Sequence, residues 1–430
     1  MADSNNARRT MELELGDTDE LRSAKERLKK ARQRGGSNLI LKVTSHRFAA
    51  WEDSFAQHFF QELSSTPQLQ QLDMEIRMHS ISSSLVAATI QNSRNTLRSL
   101  KLCRNTFVGE VGGLCQALHR HPSLETACLR ENCFKENETM PHQREKLVAV
   151  VDALTTCSML QSLELKTVSN QNKSLTKRGA KIHGISVSRL CSMPNLSHVS
   201  LQIKPSSLVQ SICHQLCGNI SVTQLDVDVS VFKHDKMMLA VEAVAMLVRA
   251  NRPGLESLAI GVTCEGGLSP IIQALHTNDS LKTLKVAMNG IRHFSFGMLP
   301  QQTTDAISTM LQHNYVLEQI QASNSNDEAT VDTWSDPSIP FYLKLNRAGR
   351  GRLLRGASSR EDWIGCCKED WIDTIIANRE DTSVVFYFLS KNPLLLSSDD
   401  VGSSTDNTGT EELQVLARPF KRPRLLASLD

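Results

Sequence analysis

The sequence of 430 residues lacks the features that identify most enzymes, membrane proteins and zinc proteins. No P-loop, strand-associated G-x-G-x-x-G, H-E-x-x-H or G-x-S-x-G motif is present, so the common nucleotide, hydride, metalloprotease and acyl-transfer sites are not predicted. The eleven cysteines include no CxxC pair, and a structural zinc site is therefore not expected. No segment reaches the roughly 18 apolar residues that span a bilayer, and no signal-like apolar run begins the chain. We therefore predict a non-enzymatic, soluble, cytoplasmic protein without metal or cofactor.

Net charge and aromatic residues are also scarce. The chain has 48 basic and 46 acidic residues, and only 5% of its residues are aromatic. Such a balance gives no overall attraction to nucleic acid or to an anionic membrane, so nucleic acid and membrane partners are not predicted. Leucine, valine and isoleucine supply most of the apolar side chains, which favours a core made of many thin layers.

The chain does contain a recurring pattern. In Thr96 to Phe107, TLRSLKLCRNTF, the residues Leu97, Leu100, Leu102 and Asn105 follow the spacing L-x-x-L-x-L-x-x-N-x-L. The same apolar spacing recurs eight more times, with first positions at Leu69, Leu124, Leu160, Leu196, Val222, Leu255, Leu281 and Leu317. Helical patterns lie between these segments, and two of them end in the similar sequences QALHRHPSL and QALHTNDSL. Each repeat is therefore predicted to be a strand followed by a helix.

These units resemble leucine-rich repeats of the ribonuclease-inhibitor-like class, and the resemblance covers about Leu69 to Ser323. It implies an α/β fold, a curved solenoid of about nine to ten units with a parallel sheet on the concave face and helices on the convex face. The asparagine is expected to hydrogen-bond backbone groups where the chain turns away from the strand. Ala127 and Ala322 depart from the pattern because each replaces a large apolar residue.

The sequence predicts four regions. Residues 1–38 form a polar and basic arm, partly disordered, since seven basic residues between Arg22 and Arg34 accompany one acid, Glu26. Residues 39–325 form the repeat array, with a degenerate first unit at NLILKVTSHRF. Residues 331–397 form a helical module that caps the array, and residues 398–430 form a disordered tail rich in Ser, Thr and Asp.

The helical module has three distinctive segments. A capping box at Ser359–Asp362 precedes a helix marked by Trp363, Cys367, Trp371 and Ile375. The segments FYLKLNRAGRGRLLRG and DWIDTIIANREDTSVVFYFLSKNPLLL are similar to the C-terminal extension of uncharacterised algal leucine-rich repeat proteins, a resemblance that implies no activity. The arginines at 347, 350, 352 and 355 suggest either a phosphate site or the solvated face of an amphipathic helix, and we favour the solvated face.

The candidate binding surface is the concave face. If the third, fifth and seventh positions of each unit point outward, they present polar residues of mixed charge. A mixed charge argues for a protein partner rather than an extended nucleic-acid track, although the face has no Trp or Tyr anchor. The candidate partner-binding residues are Asp73, Glu75, Ser99, Lys101, Cys103, Thr126, Cys128, Arg130, Glu164, Lys166, His198, Gln202, Gln224, Asp226, Asp228 and Lys285.

The sequence is therefore interpreted as a protein-binding scaffold, with two other hypotheses left open. An activator of a small GTPase would use loops at one edge of the array, and a substrate-recognition subunit of a ubiquitin ligase would use the array to hold its substrate. The basic run RPFKRPR, with Arg418, Lys421, Arg422 and Arg424, indicates a nuclear import signal or an accidental cluster of charge.

Overall fold

The protein is described by a computed structural model. The described residues are 9–14, 18–33, 39–45, 58–59, 61–63, 65, 69–76, 80–135, 141–166, 189–202, 206–230, 232–263, 265–288, 301–324, 327–331, 334, 336–355 and 368–392. The chain divides into two compact units, Met1–Pro340 and Phe341–Asp430. Among the described helices, none is long and apolar enough to cross a membrane.

The first unit is built on a large sheet. Its described strands are β1 (Arg9–Glu14), β2 (Leu39–Ser45), β3 (Leu69–Ile76), β4 (Ser80–Ser82), β5 (Ser99–Cys103), β6 (Thr106–Val108), β7 (Thr126–Arg130), β8 (Cys133–Lys135), β9 (Ser162–Lys166), β10 (His198–Gln202), β11 (Gln224–Asp228), β12 (Ser257–Val262), β13 (Thr283–Met288), β14 (Gln319–Asn324) and β15 (Asp327–Val331). Within the described residues, twelve strands form one sheet in the order β1-β2-β3-β5-β7-β9-β10-β11-β12-β13-β14-β15. All of these neighbours are parallel except β14 and β15, which are antiparallel.

Helices lie in the connections between the parallel strands. They are α1 (Thr18–Gln33), α2 (Ser83–Asn92), α3 (Gly112–Leu118), α4 (Pro141–Leu154), α5 (Ser206–Leu216), α6 (His234–Arg249), α7 (Ser269–Leu275) and α8 (Gln301–His313). A parallel connection needs a crossover, and a helix is the usual crossover element. The predicted α/β architecture of strand-helix repeats is confirmed. The sheet also extends into residues 1–38, because β1 pairs with β2.

The apolar positions of the repeat form rows across the sheet. Leu72, Leu100 and Ala127 are consecutive partners, and their row continues through Leu163, Val199, Leu225, Leu258, Leu284 and Ile320. Every residue in this row is at most 5% exposed. Because successive side chains of a strand point to opposite faces, these rows define one buried face. The core lies between this face and the buried sides of the helices.

The recurring spacing of the repeat also places an asparagine where a strand ends. Asn105 is 1% exposed; its Nδ2 donates to the Met74 carbonyl at 2.9 Å and its Oδ1 accepts from the Ile76 N–H at 2.9 Å. Asn132 acts in the same way one unit later, donating to the Leu102 carbonyl at 2.6 Å and accepting from the Asn105 N–H at 3.1 Å. The short strands β4, β6 and β8 that follow these turns form a second parallel sheet.

A second set of buried polar side chains lies three residues before the first apolar position of a repeat. Asn278 accepts from the Leu281 N–H and donates to the Val248 carbonyl, each at 2.8 Å. Asn314 makes the equivalent two bonds one repeat later, at 2.8 and 2.7 Å. These asparagines therefore satisfy backbone groups where a helix gives way to the next strand.

His121 occupies this same position, three residues before Leu124. Its side chain is 0% exposed, and neither ring nitrogen has a hydrogen-bond partner within the described structure. Burial, with a smaller contribution from the charge of Arg94, lowers the pKa of His121 to about 4. A neutral imidazole thus replaces the hydrogen-bonded amide that Asn278 and Asn314 supply in their repeats.

The second unit is helical in its described part. Helix α9 (Ser338–Arg347) enters it, followed by α10 (Arg350–Arg355), α11 (Lys368–Ala377) and α12 (Thr382–Lys391). Asp381 caps α12, accepting from the Val384 N–H at 3.4 Å. The apolar core of this unit is formed by Leu345, Leu353, Trp371, Ile375, Val384, Val385 and Phe388.

The interpretation of the arginine cluster as a solvated helix face is wrong at Arg350, whereas Arg347 is exposed. Gly349, with φ +96°, separates α9 from α10, and Arg350 is only 2% exposed. The guanidinium carbon of Arg350 lies 4.9 Å from the centre of the Tyr342 ring and 5.8 Å from that of Tyr387. Aromatic faces attract a cation, so this arginine packs inside the helical unit.

Several predicted features lie outside the described residues. They are the capping box at Ser359–Asp362, the helix positions Trp363 and Cys367, the tail 398–430 and the basic residues Arg418, Lys421, Arg422 and Arg424.

Candidate interaction face of the sheet

The polar positions of the repeat also form rows. One row contains Gln71, Ser99, Thr126, Ser162, His198, Gln224, Ser257, Thr283 and Gln319, and the next contains Asp73, Lys101, Cys128, Glu164, Ser200, Asp226, Ala259, Lys285 and Gln321. A third set, Glu75, Cys103, Arg130, Lys166, Gln202 and Asp228, follows two residues further along the strands. These three sets alternate with the buried rows, and we call them the polar face. It contains all sixteen residues that the sequence nominated.

Charged residues on β3, β5, β7 and β9 pair with one another across the strands. The Nζ of Lys101 lies 3.0 Å from Oδ2 of Asp73, and Arg130 forms an ion pair with Glu164. Asp73 is 8% exposed, so this carboxylate is desolvated and depends on its partner. The nominated charges therefore neutralise each other within the chain.

Two residues that the sequence did not nominate complete this set. Arg104 lies 3.2 Å from Glu75 and 2.9 Å from Glu131, and the Nζ of Lys166 lies 3.2 Å from Glu131. We call Asp73, Glu75, Lys101, Arg104, Arg130, Glu131, Glu164 and Lys166 the ion-pair group. Its pairs link four neighbouring strands.

Arg104 and Glu131 were missed because they follow the strands rather than lie within them. Both have left-handed backbone, with φ values of 54° and 51°. Each directly precedes an asparagine of the repeat, so opposite charges occupy the same position of two consecutive units. Opposite charges at the same position of neighbouring repeats are the sequence signal that would have identified these two residues.

A second polar cluster lies on β9, β10 and β11. The Nε2 of His198 is 3.0 Å from Oδ2 of Asp226, and its Nδ1 is 3.1 Å from the Ser162 hydroxyl. The hydrogen bond to Asp226, against the opposing effect of burial, raises the pKa of His198. The imidazole is therefore fixed at both ring nitrogens and favours the protonated form.

Asp228 is held in a local turn beside this cluster. Its Oδ1 accepts from the Ser230 N–H at 3.0 Å and from the Ser230 hydroxyl at 2.5 Å, and its other oxygen accepts from Gln202. Further along the sheet, β12 and β13 present the small residues Ala259 and Ala287, with Lys285 exposed between the small side chains. The polar face thus changes from paired charges to a smoother, more weakly charged surface.

Over the described ranges, no group of three or more His, Cys, Asp or Glu side chains is placed to hold a metal ion. Cys103 and Cys128 do approach each other, with 4.0 Å between their sulfurs. The described polar face offers matched charges and hydrogen-bonding groups, which suit recognition of another surface.

The fold defines the class of this protein as an α/β protein built of strand-helix repeats on a parallel sheet. No model of a protein family matches the chain, and no curated protein matches it. Among solved structures, the chain is similar to one titled Leiomodin-1 Actin-Binding Site 2 (ABS2), with 15% identity over 41% of this chain and 94% of that chain and a TM-score of 0.28. At that TM-score the similarity supports no conclusion about fold or binding.

Proposed function

We propose that the chain is a leucine-rich repeat protein of the ribonuclease-inhibitor-like class, and that its polar face is the concave surface of a curved array that binds a protein partner. It acts as a non-enzymatic scaffold in the cytoplasm or nucleus. The observation that carries the proposal is the alignment of polar side chains, in register, from β3 to β14. A continuous face of this kind is the surface that repeat proteins present to their partners.

The chemistry of the face indicates the kind of partner. Neighbouring strands of a sheet lie about 4.8 Å apart. Charges on successive strands therefore form a pattern with this spacing, and the charges of a partner must match it. Lys101 and Arg130 lie on the two strands between those of Asp73 and Glu164 in this part of the face. Electrostatic complementarity of mixed sign gives specificity toward a protein surface and disfavours a polyanion such as nucleic acid.

Charge substitution at Asp226 tests the proposal. Affinity capture with the full chain, analysed by mass spectrometry, is compared between the wild type, Asp226→Lys and Asp226→Asn. The asparagine keeps a hydrogen-bonding group near His198 and removes the charge. We expect the captured partner to fall about tenfold with lysine and less with asparagine, because an interfacial charge reversal adds repulsion to the lost attraction.

The matched control is Asp305→Lys on α8, where the carboxylate accepts a hydrogen bond from Gln301 on the same helix. This change reverses an equal charge away from the polar face. A partner that is retained by Asp226→Lys and lost with Asp305→Lys would move the binding surface to the helices and contradict the proposal.

A further inference from the structure

Two opposite charges of the polar face lie on strands that are not neighbours. Asp226 on β11 and Lys285 on β13 occupy the same row, and Ala259 of β12 lies between them. Neighbouring strands are about 4.8 Å apart, so the Cα atoms of the two charged residues are about 10 Å apart. In the ion-pair group, by contrast, Asp73 and Lys101 are direct partners on neighbouring strands, and their charged atoms lie 3.0 Å apart.

Both separated charges are accessible to another molecule. Lys285 is exposed and forms no ion pair with the side chains that the structure describes. Asp226 is partly exposed. Its Oδ2 accepts from Nε2 of His198 at 3.0 Å, while its Oδ1 has no hydrogen-bond partner in the described part of the chain. Because only the methyl group of Ala259 lies between the two charges, one segment of a partner can contact both.

The spacing of the two charges suits an α-helix. Helical residues seven positions apart lie on the same side and about 10.5 Å apart along the axis. In an extended segment, residues three positions apart also span about 10 Å, but their side chains point to opposite sides. The backbones of β11, β12 and β13 already pair with their neighbours, so an extended segment would gain no main-chain hydrogen bonds on this face.

The length of the face also suits a helix. The five strands from β10 to β14 extend about 19 Å across the sheet. This distance corresponds to about 13 helical residues. A helix of three to four turns can therefore cross these strands with the charged row beneath it.

We propose that Asp226 and Lys285 bind one α-helix of a partner protein, and that this helix carries a basic and an acidic side chain two turns apart. The inference rests on the proposed function and specifies the occupant of the polar face. The basic side chain contacts Asp226, the acidic one contacts Lys285, and a small apolar residue between them packs on Ala259. Complementary charges thereby fix the direction in which the helix crosses the strands.

The test uses two synthetic 14-residue peptides, each held helical by a hydrocarbon staple that avoids the tested positions. The first has a lysine at position 4 and a glutamate at position 11. The second has the same composition, but its glutamate is at position 13, on the opposite side of the helix. Binding to the full chain is followed by the fluorescence anisotropy of a dye on the peptide. We expect the first peptide to bind about fivefold more tightly, because only this peptide reaches both charges.

Variants of the chain identify the contacts. Asp226→Asn and Lys285→Met should each abolish the preference for the first peptide. The matched control Lys236→Met, which removes an exposed charge from helix α6, should keep the preference. The charge exchange D226K/K285D should regain the preference, because the helix can then cross the strands in the opposite direction. This recovery separates a lost contact from a loss of folding.

Three results would overturn the proposal: no binding of either peptide, equal binding of both peptides to the wild type, or an unchanged preference in Asp226→Asn and Lys285→Met. Affinity capture with Asp226→Lys judges the proposed function separately, because that experiment requires no helix. A captured partner that falls with Asp226→Lys, together with equal binding of the two peptides, would reject the helical occupant and leave the proposed function standing.

Discussion

His121 is expected to make the protein less stable in mild acid. An ordinary imidazole has a pKa of about 6.5 in an unfolded chain, whereas the pKa of His121 is about 4 in the folded state. Between these values the unfolded chain binds a proton that the folded chain excludes, so stability falls as the pH drops from about 6.5 toward 4. Linkage with these two pKa values gives a loss of about 2 kcal/mol between pH 7 and pH 5.

The substitution His121→Asn separates this effect from general acid sensitivity. Asn278 shows that an amide in the equivalent position binds both an N–H and a carbonyl. The variant is therefore expected to gain about 1 kcal/mol at pH 7, because it replaces an unsatisfied buried group by a bonded one.

Urea unfolding followed by circular dichroism at several pH values between 5 and 7 provides the measurement. The exposed His119 supplies the control variant His119→Asn, which should keep the wild-type pH dependence. If His121→Asn and the wild type lose the same stability between pH 7 and pH 5, His121 is not the group that titrates and the reasoning fails.

Three further changes test the packing of the fold by urea or thermal unfolding. Asn105→Ala leaves two buried backbone groups without their hydrogen-bond partner and should lower the free energy of unfolding by about 3 kcal/mol. Asn132 is half-buried, so Asn132→Ala should cost less. Equal losses in the two variants would show that the burial of Asn105 is unimportant. Lys101→Met leaves the largely buried Asp73 without its ion pair and should cost about 1 kcal/mol, a difference that shrinks in high salt; insensitivity to salt would argue against an electrostatic origin. Gly349→Ala forces a side chain onto a backbone with φ +96° and should cost about 1 kcal/mol; an unchanged midpoint would show that the turn relaxes.

Apolar spacing predicted the strands of the large sheet because that spacing directly reports which side chains are buried. Leu72, Leu100 and Leu163 fall in one row, and Ala127 takes its place in the row despite its small size. Spacing could not predict β1 in the same way. Its sequence, RTMELE, contains few apolar residues, and its place depends on pairing with β2.

The polar face was predicted by position, but its internal pairing was not. Counting positions places Lys101 and Asp73 on one face, whereas only the strand register brings the two side chains within 3.0 Å. Likewise, no periodicity shows that Arg350 lies between Tyr342 and Tyr387, because this packing joins helices that are distant in sequence. That the array is curved and that it binds a protein partner stay predictions.

The left-handed backbone of Arg104 has a consequence for reading substitution data. Residues other than glycine lose about 1–2 kcal/mol in this conformation, while this side chain contributes two ion pairs. Changing Arg104 to glycine removes the backbone penalty and both ion pairs at once, so the measured stability barely changes. A glycine scan that records only the net change in stability would therefore score Arg104 as unimportant. Substitution by alanine keeps the backbone penalty and removes both ion pairs, so it reveals what the arginine side chain contributes.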